Sequence, residues 1–96
     1  MIMRFDFCNP TRMVFGRGVL ARAGDEIAGI GKRALIVTGG SSAKRQGTLD
    51  RLIEACTLAG VRSTVFGGIE PNPRLSTIRA AGRVAVDEAV DVVVAL

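Results

Sequence analysis

A cluster of groups that can bind an anion follows an apolar run in the first half of this chain. The apolar run covers residues 34–37, and the cluster consists of Gly39, Gly40, Ser41, Ser42 and Lys44. Backbone N–H groups of glycines and of a helix start can face a phosphate, because no helical hydrogen bond uses them. A lysine reaches a phosphate as a point charge, and a serine hydroxyl adds a hydrogen bond. The pattern predicts an anion-binding turn at the C-terminal end of a strand, here called the glycine turn (residues 38–44).

The positions of Lys44 and Arg45 favour a bound anion. The pattern places both in the first turn of the next helix, where an exposed cation opposes the helix macrodipole at a cost of about 0.3–1 kcal/mol. A purely structural turn would carry acidic residues there, and a bound anion would make the cations favourable. The alternative is an ordinary strand-to-helix connection with Ser42 as the N-cap. On spacing alone, the two interpretations are equally supported.

The charges around the glycine turn also bear on the type of ligand. No acidic residue lies between Val37 and Thr48. In dinucleotide sites a carboxylate holds the ribose 2′-hydroxyl of NAD, whereas a basic residue accommodates the 2′-phosphate of NADP. If the ligand is a dinucleotide, Lys44 therefore favours NADP over NAD.

Asn72, between two prolines, has two compatible interpretations. It is a good N-cap for the helix that follows, with Pro73 at the first helical position. It also falls in a loop at the end of a strand, where an amide contact to a ligand is expected. The cap is the better supported of the two by sequence alone.

The elements that must position these residues alternate between strand and helix. Such alternation from residue 33 onward implies parallel strands, right-handed crossovers and helices on both faces of the sheet. We therefore predict an α/β fold: a parallel Rossmann-like sheet with flanking helices, preceded by a short N-terminal strand pair. Because the sequence stops at an apolar run, residues 92–96, we expect one incomplete domain. The predicted elements are strands at 5–7 and 12–15, a helix over 20–28, a strand at 34–37, a helix over 49–59, a strand at 62–66, a helix over 75–85 and a strand at 92–95.

Composition excludes several classes of function. The net charge of +4 comes from scattered cations, so the basic stripe of a nucleic-acid-binding protein is not expected. Two distant cysteines and the absence of histidine exclude a zinc site of the Cys/His type within the chain. No apolar run approaches the roughly 20 residues that span a bilayer, and no signal-peptide core is present. With no disulfide framework, a cytoplasmic setting is the default.

Several motifs, in order along essentially the whole chain, are similar to the N-terminal region of iron-containing (group III) alcohol dehydrogenases, in particular the butanol dehydrogenase-like branch. In that branch the turn reads G-G-G-S-x-K and lies near the adenosine end of NAD(P). Gly39, Gly40, Ser42 and Lys44 match it, and Ser41 stands where a third glycine is usual. The Pro-Asn-Pro segment borders the cofactor cleft in the family, which gives Asn72 a cofactor contact. The motifs are Phe5-Asp6-Phe7, Asn9-Pro10-Thr11, Val14-Phe15-Gly16-Arg17-Gly18, the glycine turn, Gly47 and residues 67–74.

The resemblance implies that residues 1–96 are the N-terminal part of a dinucleotide-binding domain. The family's metal ligands, one aspartate and three histidines, belong to a C-terminal helical domain that is absent here. The intact enzyme would be a homodimer that interconverts an alcohol and an aldehyde or ketone by hydride transfer, with NADP or NAD and a divalent iron or zinc ion. We expect no catalytic residue in this chain, and no activity from it alone. Two alternatives stay open: a fragment of a glycerol dehydrogenase or dehydroquinate synthase-like enzyme, and a stand-alone nucleotide- or phosphate-binding module.

Overall fold

A parallel sheet lies at the centre of the structure, a computed structural model that describes residues 2–96. Within this range the strands are β1 (Arg33–Val37), β2 (Arg62–Phe66) and β3 (Val92–Ala95), in the order β2-β1-β3. Both neighbours of β1 run parallel to it, with Leu35 opposite Thr64 on β2 and opposite Val93 on β3. The α/β prediction is confirmed.

Helices connect the strands on both faces of this sheet. The connection from β1 to β2 places α3 on one face, and the right-handed return from β2 across β1 to β3 places α4 on the other. In residues 2–96 the helices are a 3₁₀ helix (Val19–Arg22), α1 (Ala23–Ala28), the short α2 (Ser42–Arg45), α3 (Thr48–Leu58) and α4 (Leu75–Asp87).

The main core lies between one face of the sheet and helices α1 and α3. Ala34 and Ile36 of β1 point into it and are 1% and 0% exposed. Cys56 of α3 is also fully buried there, and burial raises the pKa of its thiol. A free cysteine in such a place acts as a small hydrophobic residue. The other buried members of the core are Ile27, Leu49, Leu52, Val61 and Val92.

Asp91 fixes the start of β3 against the start of β1. Its carboxylate accepts hydrogen bonds from the backbone N–H groups of Lys32 (3.0 Å) and Arg33 (2.8 Å). The Asp91 N–H donates in turn to the carbonyl of Arg33 (2.9 Å). The two accepted bonds lower the pKa of Asp91, because they favour the ionised carboxylate. Gly31 is needed beside this contact, since a Cβ there would collide with the Asp91 carboxylate.

The expected N-terminal strand pair is not formed. Residues 2–15 contain no strand, and Phe5, Phe7 and Phe15 are 79%, 82% and 94% exposed. Arg12 makes an ion pair with Glu26 of α1 at 2.8 Å, but this contact does not cover the aromatic rings. A pair of short strands has marginal stability without a third strand or a covering layer. Alternation of residue types does not show that either is present.

Helices α1 and α3 approach each other closely at Gly24. A Cβ at position 24 would lie 2.6 Å from the backbone carbonyl carbon of Ala55, whereas a Cβ at Gly82 of α4 meets nothing within 4 Å. We expect Gly24→Ala to lower the free energy of unfolding by about 1–3 kcal/mol, because backbone must move. Gly82→Ala is the matched control and should raise it by up to about 1 kcal/mol. Urea unfolding measures both; similar effects at the two positions would contradict the close approach.

The Asp91 contact gives stability a defined pH dependence. The folded pKa is lowered, so the stabilisation is complete above the unfolded pKa of about 3.9. It is lost as pH falls through the lower folded pKa. Asp91→Asn should therefore be less stable than the wild type at pH 7, and the difference should shrink below about pH 4. Glu54→Gln, which removes an exposed carboxylate in the middle of α3, is the control. A pH-independent difference for Asp91→Asn would refute this assignment.

Candidate functional site

A groove of about 380 Å³ opens at the carboxyl ends of β1 and β2. The glycine turn forms one side of it, and the loop after β2 contributes Gly67 and Gly68. Among the lining residues that the structure describes, Lys44 is the only charged one. The remaining lining residues are Thr38, Gly39, Gly40, Ser41, Leu49 and Val65. Four of the six predicted site residues therefore meet in one groove.

The topology of the sheet explains why the glycine turn lies at this edge. The chain leaves β1 for β2 on one side and returns to β3 on the other, so the topological switch point lies between β1 and β3, next to the groove at the ends of β1 and β2. Ligands of open α/β sheets bind outside the carboxyl ends of the strands at such a point. The glycine turn is the segment that begins there.

Backbone hydrogen bonds join the two loops of the groove. The N–H of Gly68 donates to the carbonyl of Gly39 (2.8 Å), and the N–H of Ile69 donates to that of Thr38 (3.2 Å). Within residues 2–96, the N–H groups of Gly39, Gly40 and Ser41 donate to no protein acceptor. The carbonyls of Thr38 and Gly39 are thus occupied while three successive donors are free, the arrangement that suits an anion.

Lys44 lies on a short separate helix that the sequence pattern did not predict. It lies in α2, which ends at Arg45, and the longer α3 begins only at Thr48. Gly47, the N-cap of α3, has a φ of 76° and separates the two helices. Lys44 and Arg45 are therefore in the last turn of a short helix, and the predicted dipole penalty at the start of a long helix does not exist.

The structure also corrects the predicted cap at Ser42. Ser41 is the N-cap residue of α2, and it makes no side-chain cap hydrogen bond. Ser42 is the first helical residue, is exposed and lies outside the groove lining. Its hydroxyl does not contribute to the groove in this structure.

Asn72 lies outside the groove lining too, and it is not the N-cap of α4. It sits in an exposed bend, and α4 begins at Leu75 with Arg74 as N-cap. Glu70 satisfies the helix start instead: its Oε1 accepts from the Arg74 N–H (2.7 Å) and the Thr77 hydroxyl (2.6 Å). These bonds lower the pKa of Glu70. Sequence reasoning missed this residue, although an acidic side chain just before a helix is a recognised signal.

The described residues do not supply a metal centre. Residues 2–96 contain no group of three or more His, Cys, Asp or Glu side chains placed to hold a metal ion. The two carboxylates with lowered pKa, Glu70 and Asp91, are each engaged by backbone N–H groups of the chain. None of the helices in residues 2–96 is long and apolar enough to cross a membrane.

Comparison with known proteins assigns the chain to a family. The family model for iron-containing alcohol dehydrogenases matches residues 10–96, so the chain belongs to that family. It is 37% identical over 95 residues to a probable NADH-dependent butanol dehydrogenase 1 of Bacillus subtilis, covering 99% of this chain. It is also 37% identical over 92 residues, 96% of the chain, to the NADPH-dependent aldehyde reductase YqhD of Escherichia coli.

A solved structure agrees with this assignment. The NADH-dependent butanol dehydrogenase A of Thermotoga maritima superimposes with a TM-score of 0.86 and 39% identity over 94% of this chain. The match covers 23% of that protein, and the chain spans 24% and 23% of the lengths of the two curated relatives. The predicted family resemblance is confirmed for this part of the sequence.

Proposed function

We propose that residues 1–96 bind the adenosine end of NAD(P) as the N-terminal part of the dinucleotide-binding domain of an alcohol dehydrogenase. The observation that carries the proposal is the groove in which Lys44 accompanies the free N–H groups of Gly39, Gly40 and Ser41. Family membership supports the reaction, interconversion of an alcohol and an aldehyde or ketone by hydride transfer.

The residues of this chain have a binding role in that reaction. A bound nicotinamide cofactor supplies the hydride chemistry, and the protein orients it. The glycine turn would hold and orient the adenosine side, with Asn72 and Ser42 as flanking contacts inherited from the family pattern. The described residues do not fit an iron or zinc site, so metal ligands would lie in a further helical domain. Under this proposal the 96 residues alone bind nucleotide, do not catalyse the reaction, and belong to a cytoplasmic enzyme.

Lys44 supports NADP as the preferred cofactor. It is the only charged side chain among the described lining residues, and the groove has no carboxylate to hold a 2′-hydroxyl or repel a 2′-phosphate. The names of the relatives include both NADH-dependent and NADPH-dependent enzymes. The choice therefore depends on this chain's own residues.

The cofactor assignment is tested by Lys44→Ala with two nucleotide probes. Adenosine 2′,5′-bisphosphate carries the 2′-phosphate, and 5′-AMP does not. We expect Lys44→Ala to weaken the bisphosphate about tenfold, because one charge-assisted hydrogen bond is lost, with less than about twofold change for 5′-AMP. Calorimetric titration of the 96-residue chain measures both affinities. Arg45→Ala, a neighbouring cation outside the groove lining, is the control.

Different outcomes test the NADP assignment and the existence of the nucleotide site. Equal losses for both probes would remove the 2′-phosphate assignment and leave a nucleotide site. No binding of either probe by the wild type would refute the proposed function. A chimera in which residues 1–96 replace the aligned segment of the Bacillus butanol dehydrogenase adds a test of activity. Nucleotide binding without activity in the chimera would favour a stand-alone binding module.

We also propose that the protein is a homodimer joined through its N-terminal segment. Met3, Phe5 and Phe7 are exposed and alternate with Arg4 and Asp6. An antiparallel strand pair of two copies centred on Phe5 would place Arg4 of each copy opposite Asp6 of the other. The apolar side chains would share the other face, because side chains alternate along a strand. The sequence is therefore self-complementary under two-fold symmetry.

Charge exchange tests this pairing. Asp6→Arg should raise the dimer dissociation constant about tenfold, because two symmetry-related pairs become repulsive. The double variant Arg4→Asp/Asp6→Arg should restore association, since it exchanges the charges without changing their sum. Sedimentation velocity of the 96-residue chain measures the dissociation constants, with Arg17→Asp as the control. A double variant as weak as Asp6→Arg would rule out the proposed register.

A further inference from the structure

Glu70 lies in the loop between β2 and α4, between two parts of the loop that are held by different contacts. Before it, the N–H groups of Gly68 and Ile69 donate to the carbonyls of Gly39 and Thr38, just after β1. After it, the chain enters α4 through Arg74. Glu70 Oε1 spans this second part, because it accepts from the Arg74 N–H at 2.7 Å and the Thr77 hydroxyl at 2.6 Å.

The segment between these contacts is stiff. Pro71 and Pro73 have fixed φ angles, and each restricts the residue before it. Glu70, which precedes Pro71, is therefore restricted in its own backbone as well as anchored by its side chain. A displacement at Glu70 would move Ile69 and Gly68 as well, because these adjacent residues cannot absorb it by changes in their own backbone alone.

Gly68 matters because it belongs to the groove. It lines the groove together with Gly67, and its φ of 75° is in the left-handed region. Its N–H bond to the carbonyl of Gly39 also sets the orientation of the glycine turn. The loop that Glu70 anchors thus forms one side of the groove and is bonded to the other.

We propose that Glu70 is a positioning residue for the groove: its carboxylate fixes the loop of residues 67–74 to α4 and so holds the Gly67–Gly68 side in the shape that binds nucleotide. This inference rests on the proposed function for its ligand. A simple helix cap would stabilise α4 without affecting the groove. The two roles differ in what happens at Gly68, Ile69 and the ligand.

The test compares variants that remove or retain the hydrogen-bond acceptor. Glu70→Ala removes it, Glu70→Gln keeps an oxygen that can accept both bonds, and Thr77→Val removes one donor. In the 96-residue chain, we expect Glu70→Ala to lower hydrogen-exchange protection at the Gly68 and Ile69 amides about tenfold. Protection at Ile36 in β1 should stay unchanged. Affinity for adenosine 2′,5′-bisphosphate should fall about three- to tenfold.

The control variants should separate positioning from charge and from capping. Glu70→Gln should stay within about twofold of the wild type in both measurements, and Thr77→Val should be intermediate. Glu88→Ala, an exposed carboxylate just after α4, should change neither. If Glu70→Ala does not fold, Thr77→Val alone decides the proposal.

The contradicting outcomes are distinct. Wild-type protection at Gly68 and Ile69 in Glu70→Ala would overturn the positioning role, and so would a Glu70→Gln variant as weak as Glu70→Ala. Lost protection with unchanged nucleotide affinity would also overturn it, leaving a loop anchor that has no role in binding. Failure of the wild type to bind nucleotide would refute the proposed function, and the role of Glu70 in binding with it. The exchange data alone would then show whether Glu70 anchors the loop.

Discussion

The burial of β1 on both faces is the constraint on which the rest of the structure depends. Ala34, Leu35 and Ile36 are at most 2% exposed, and β1 lies between β2 and β3. A central parallel strand can bury both faces only if crossover helices cover them, so α3 and α4 are placed by this requirement. The same arrangement fixes where the chain reverses direction across the sheet. It therefore places the glycine turn at the edge where ligands of such sheets bind.

The groove combines a hydrogen-bonded backbone with N–H groups that remain free to bind a ligand. The carbonyls of Thr38 and Gly39 are occupied by the neighbouring loop, whereas the N–H groups of the glycine turn remain available. Glu70 and Asp91 both use carboxylates to hold backbone N–H groups, one at the start of α4 and one at the start of β1. The acidic side chains that shape the sheet ends are thus engaged in structure. Lys44 is left as the charge that faces the groove.

The sequence predicted more of the sheet than of the site. The strands at 62–66 and 92–95 and the apolar run of β1 agree with the structure. Residues 34–37 and 92–95 are continuous apolar runs between helical segments, and such runs have few other solutions. The strand pair at 5–7 and 12–15 was wrong, since alternation shows that a segment could pair and not that a partner covers it. The cap assigned to Asn72 was also wrong, because Glu70, two residues earlier, reaches the helix start instead.

The sequence by itself determined the alternation of strand and helix from residue 33 onward and the family. These depend on residue types at short spacing and on motifs in a fixed order, and both can be read directly from the sequence. Only the tertiary structure decided that Gly47 separates α2 from α3 and that Lys44 meets Gly67 and Gly68 in one groove. It also decided that Glu70 anchors the second loop. The reason is physical. These features depend on a positive φ angle and on contacts between segments that are distant in the chain. Neither produces a periodic pattern of residue types that the sequence would show.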